Sequence, residues 1–72
     1  MTLRDAIIGK RYRVISVQTG DRELEAFLFS LGCYAGEQIT AITHLKSGST
    51  VSIKDGRYHI DRRLAEAIEI DE

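Results

Sequence analysis

The sequence predicts a mainly β fold: a small barrel of about five short strands, with one inserted α-helix and a short C-terminal helical turn. Three observations carry this expectation. Glycine alone punctuates the chain, which has no proline, and it separates short runs rich in β-branched and aromatic residues. Between two of those runs, Leu24, Phe27, Leu28 and Leu31 stand at i, i+3, i+4 and i+7, one apolar stripe at the helical period. Further on, Asp55-Gly56 sits between two alternating runs, and this dipeptide favours a two-residue hairpin turn.

The elements follow in chain order. Leu3 and Ile7 have helical spacing, and Gly9 ends that turn. Arg11 to Val17 reads as a strand, although Val14 and Ile15 are both apolar and break the alternation, so a β-bulge fits there. Thr19-Gly20-Asp21 interrupts it. Asp21 is an N-cap candidate, Glu23 suits the positive end of the helix dipole, and the helix is expected from Arg22 to Leu31. Gly32 is its stop. After the Ala35-Gly36 turn, Gln38 to Leu45 is a strand, and Lys46 to Ser49 a loop.

Val51–Lys54 and Arg57–Asp61 then form the expected hairpin. If Lys54 opposes Arg57, Ile53 opposes Tyr58 and Val51 opposes Ile60, and all four apolar residues share a face. Arg62 to Ala67 fits a short helical turn, and Ile68-Glu69-Ile70 a closing strand with both isoleucines inward. The expected core is Leu24, Phe27, Leu28, Leu31, Ile39, Val51, Ile53, Tyr58, Ile60, Ile68 and Ile70.

Size and charge narrow the function classes. Residues 1–72 are expected to form one domain. Such a chain buries only about 60% of its unfolded surface, so its stability is thin. Cys33 is the lone cysteine and offers no disulfide, in keeping with a reducing compartment. No apolar run reaches the roughly 18 residues of a membrane span, and the first residues lack the order of a secretory leader. The expected location is the cytoplasm. A formal charge of −1 with interspersed signs argues against nucleic acid as a partner.

At Leu31-Gly32-Cys33-Tyr34-Ala35-Gly36-Glu37, a helix ends in Leu-Gly and a short turn ending in glycine opens a strand at Gln38-Ile39. This arrangement resembles the FeoA family of ferrous iron transport A proteins. The similarity extends to Leu3 with Ile7-x-Gly9, to Arg13–Val17, and to Ile60 through Ala65 and Ile68–Ile70. Ala35 and Lys46 stand where the family usually has proline, Cys33 where it has an aliphatic residue, and Asp61 where a basic residue is frequent. The resemblance implies an SH3-like barrel without catalytic machinery. It further implies a cytosolic accessory that binds and regulates the FeoB-type ferrous iron transporter, meeting the membrane only through that partner. The same fold occurs as the C-terminal domain of metal-dependent repressors, so a metal-sensing domain is the alternative. A weak homo-oligomer is left open.

The residues themselves offer little chemistry. No nucleophile motif, P-loop or dinucleotide fingerprint is present, and no catalytic residue or cofactor is assigned. Cys33, in a turn where a helix ends, reads as a small apolar residue. Cys33, His44, His59 and Asp61 are metal-ligand types, but their spacing fits no standard site, and no metal site is assigned. Partner binding has better candidates. Phe29 lies off the apolar stripe, Ile8 is a second apolar residue beside Ile7, and Tyr34 sits in a turn. Phe29, Tyr34 and Ile8 are therefore the expected partner-binding residues.

Overall fold

The computed structural model describes all 72 residues. Its frame is a five-stranded antiparallel sheet built from β1 (Arg11–Val17), β2 (Gln38–Leu45), β3 (Gly48–Ile53), β4 (Gly56–Asp61) and β5 (Ile68–Asp71), in the order β4-β3-β2-β1-β5. On β1 the strand period puts Tyr12 and Val14 inside and Arg11 and Arg13 outside. The paired Val14 and Ile15 are resolved by a bulge. Val14 faces Ile70 and Ser16 faces Glu69, so Ile15 is the extra residue and its side chain stays exposed.

The two end strands do not pair with each other. The short helix α2 (Arg62–Glu66) joins them and packs on β3, β4, β5 and the N-terminal turn. Asp61 caps α2 by accepting from Leu64 N–H, and Ala65 is fully buried. The outer edge of β5 is partly covered by the N-terminus, through a Thr2–Glu69 bridge and an Ile70 N–H bond to the Met1 carbonyl. An edge this short leaves little to template aggregation.

A hydrogen-bonded chain holds the N-terminal 3-10 turn (Leu3–Asp5) to the sheet. Arg4 Nη1 donates to the Gly48 carbonyl at 2.8 Å and to Ser49 Oγ at 3.2 Å. Ser49, the one buried polar residue, lies 2.7 Å from His44 Nδ1, and His44 Nε2 lies 2.8 Å from the Ala6 carbonyl. A carbonyl only accepts, so Nε2 carries the proton, Nδ1 accepts, and the Ser49 hydroxyl donates to it. Every group in the chain is satisfied, as buried polar groups must be.

Two expectations change. The hairpin is real, but its turn is Lys54-Asp55, not Asp55-Gly56: Ile53 faces Gly56, Val51 faces Tyr58 and Ser49 faces Ile60. The strands have slipped by two positions relative to the expected pairs. Because the side-chain period is two, Val51, Ile53, Tyr58 and Ile60 still share the inner face. Lys54 takes the positive φ of 53°, while Gly56 has a different task. The Tyr58 ring folds over it, and a Cβ there would come within 2.7 Å of Tyr58 Cε2.

The second change concerns the helix α1 (Arg22–Ser30). Its stripe was expected to face the core. Instead Leu28 alone is buried and Leu31 is half-buried, while Leu24 and Phe27 are 38% and 52% exposed. Ile7 is also exposed, since only Leu3 and Ala6 of the first segment reach the core. The core instead includes Tyr12, Val14 and Ala41 from the sheet and Ala65 from α2.

Candidate protein-interaction site

Asp21 starts α1 by accepting from Glu23 and Leu24 N–H at 2.8 and 3.3 Å. Leu31 caps the other end. Gly32, at φ +96°, donates its N–H to the Phe29 carbonyl, and Cys33 donates to the Leu28 carbonyl. This pair of bonds is the Schellman arrangement, and its usual apolar contact is supplied by buried Leu28 and Cys33. Burial pushes the Cys33 thiol up to about 11, which suits a packing residue and not a nucleophile.

The reversal at Gly32 carries the chain back past the end of the helix. Tyr34 thereby stacks on Phe29, with ring centroids 4.6 Å apart and planes inclined by 30°. Phe29 is nonetheless 62% exposed. Lys54, at the β3–β4 turn, sets its ammonium 5.7 Å from the Tyr34 ring centre and 3.6 Å from Glu37 Oε2. Its contact with Tyr34, and then the charge of Glu37, raise the Lys54 ammonium above its ordinary value. Between the end of α1 and the hairpin lies an open groove floored by Leu31, Ile53 and Tyr58 and walled by Phe29, Tyr34 and Lys54. Apolar surface with a polar rim of this kind suits a protein contact.

Of the three expected partner-binding residues, Phe29 and Tyr34 are brought together. Ile8 stands on a separate loop, whose Gly9 N–H bonds the Ala41 carbonyl, and it is 48% exposed. Sequence reasoning did not bring Lys54 or Tyr58 to the same groove. The helix-stop glycine was the available signal, since a chain reversed there must return beside the last helical turn. The metal-ligand types are scattered. Cys33 is buried in the core, His44 has both ring nitrogens engaged, and Asp61 caps α2. His59 lies on the outer face near the Ser47 and Thr50 hydroxyls. No three His, Cys, Asp or Glu side chains converge.

A family model described as the FeoA domain matches residues 1–72. The chain belongs to the FeoA family. A Helicobacter pylori protein named provisionally as Fe(2+) transport protein A is 33% identical over 67 residues, which cover 93% of this chain and 86% of the relative. The fold is that of solved FeoA structures. Iron(II) transport protein A from Clostridium thermocellum superposes with a TM-score of 0.87 at 22% identity, over 99% of this chain and 44% of the other. The present chain thus spans less than half of that protein. FeoA from Stenotrophomonas maltophilia, determined with zinc and described as a procaryotic SH3 domain protein, gives 0.84 at 21%, over 99% and 89%. The barrel is therefore mainly β and SH3-like, and no helix is long and apolar enough to cross a membrane.

Proposed function

We propose that residues 1–72 act as a single accessory unit of ferrous iron uptake, working in the cytoplasm by binding the cytosolic region of an FeoB-type transporter and regulating it. The unit works by binding, and no reaction is assigned to it. The observation that carries this reading is the FeoA match over the whole chain. The name of the Helicobacter pylori relative adds ferrous iron transport to it.

Within this reading, the stacked Phe29–Tyr34 pair is the anchor and the groove beside it receives a side chain of the transporter. An exposed, pre-stacked aromatic pair loses little freedom on binding, the property that makes aromatics frequent hot spots. Ile8 is a secondary contact. The test is binding of the purified chain to the transporter's cytosolic region. Phe29→Ala should weaken it by about 2 kcal/mol or more, the cost of truncating a central aromatic anchor. Full binding by a correctly folded Phe29→Ala protein would move the contact away from this pair.

A further inference from the structure

The outer face of the sheet carries a second surface, which adjoins the Phe29–Tyr34 groove at Lys54 but includes neither aromatic ring. Strand register aligns one residue from each of four strands in a single transverse row. Arg11 on β1 faces Thr40 on β2, Thr40 faces Ser52 on β3, and Ser52 faces Arg57 on β4. One row along, Arg13 faces Gln38. Arg11, Arg13 and Arg57 are all exposed.

The two ends of this row carry no ion pair. The ion pairs of the molecule join Met1 to Glu69, Lys10 to Glu72, Lys54 to Glu37 and Arg62 to Glu66. Arg11, Arg13 and Arg57 take part in none of them, nor in any side-chain hydrogen bond. Two acids border the row: Glu37, which lines the concavity and is held by Lys54, and Asp71 on β5, which faces Arg13. Arg13 has Asp71 opposite it, whereas Arg11 and Arg57, at the two ends of the row, face only hydroxyl-bearing residues. The concavity at the Arg11 end of the row has no apolar lining residue; Thr40, Ser52 and Gln38 supply hydroxyl and amide groups there. Neighbouring strands lie about 4.8 Å apart, so Arg11 and Arg57 are separated by roughly 14 Å across two hydroxyl-bearing strands.

We propose that this row is a docking surface for an acidic protein segment. Carboxylates would be gripped by the arginine forks at the two ends, with Thr40 and Ser52 hydroxyls between. The occupant follows from charge and shape. Guanidinium matches carboxylate as a planar, two-point donor. An extended strand of nucleic acid would need bases stacked on aromatic rings, and the row carries no aromatic residue. A lipid surface would need an apolar rim to insert, and the concavity has none.

The test uses the 72-residue chain and two labelled probes, a decamer of glutamate and a decamer of deoxythymidine, followed by fluorescence anisotropy. The glutamate probe should bind saturably at low salt and weaken as salt rises. The double variant Arg11→Gln/Arg57→Gln should lose about tenfold in affinity, as two exposed charge contacts at this level imply. Arg22→Gln/Arg63→Gln removes the same charge from α1 and α2, outside the row, and should leave binding within about twofold. Both variants replace exposed side chains and should keep the parent melting temperature, which the same samples report. The proposal is overturned if the glutamate probe does not bind saturably. It is equally overturned if both double variants lose affinity alike, which would reduce the effect to net charge. Tighter binding of the deoxythymidine probe would make the face a nucleic-acid surface instead.

Discussion

The two helices invert what their sequences suggest. The nine residues of α1 display a clear apolar stripe, yet Leu28 alone is buried. The five residues of α2 display almost no pattern, yet Ala65 is fully buried, Leu64 packs on the core, and four elements surround the helix. The difference lies in what the topology places opposite each helix. α2 joins the two end strands of the sheet and must fill the gap between them. α1 sits in the connection between the adjacent antiparallel strands β1 and β2, anchored at its last turn by Leu28 and Cys33. Periodicity identifies a helix and its apolar side, but not whether anything covers that side. On α1 the apolar side is left uncovered.

If this contrast is right, the sharpest response should come from the one anchored point of α1. Leu28→Ala should cost roughly 2–5 kcal/mol, because the vacated volume is enclosed by core residues and cannot collapse freely. Thermal or urea unfolding of the free domain measures it. A loss below about 1 kcal/mol would mean that α1 is dispensable to the core altogether.

The second anchor, Cys33, predicts a dependence on alkaline pH. Its thiol is raised from 9.0 to about 11 by burial, so the unfolded chain loses that proton first. Between those values the native state holds more protons than the unfolded state, and stability falls as pH rises through the window. The contribution is complete below pH 9 and amounts to roughly 1–3 kcal/mol lost by pH 11. Cys33→Ala should flatten the decline relative to the parent chain, measured as urea stability at several pH values. Parallel declines would show the thiol to be solvated.

At α2 the expected effect is smaller. Asp61→Ala leaves Leu64 N–H without its side-chain acceptor and should cost about 1 kcal/mol in thermal unfolding. A neutral result would mean that the packing of Ala65 and Leu64 fixes α2 without its cap.

Much of this was legible in the residues, and the misses have physical causes. The strands at Arg11–Val17 and Gln38–Leu45 and the bulge at Ile15 followed from alternation and its failure. The inward face of the hairpin was legible too, because a two-position slip cannot change it. The register was not. Asp55-Gly56 suits a type I′ turn locally, but packing the Tyr58 ring over Gly56 claims that glycine, and Lys54 adopts the left-handed conformation instead. The His44–Ser49–Arg4 chain was invisible because it joins residues up to 45 positions apart. Of the candidate site, Phe29 and Tyr34 could be named but not joined. Their stacking depends on the reversal at Gly32, and the groove beside them depends on where the hairpin tip lies.

The smallest expected effect tests the comparison most directly. Phe27 has the sequence position of a core residue, one turn before Leu31 on the same stripe, and a buried phenylalanine truncated to alanine costs about 3–5 kcal/mol. Its side chain is instead 52% exposed, on a helix whose only fully buried residue is Leu28. Phe27→Ala should therefore shift stability by no more than about 0.5 kcal/mol, within the usual range for surface changes. It should also raise helix propensity slightly, since alanine is the better helix former. The measurement is urea unfolding of Phe27→Ala beside Leu28→Ala, two adjacent residues on opposite sides of one boundary. Comparable losses from the two would show that α1 closes onto the sheet in solution, and that its exposed stripe is covered by the protein itself.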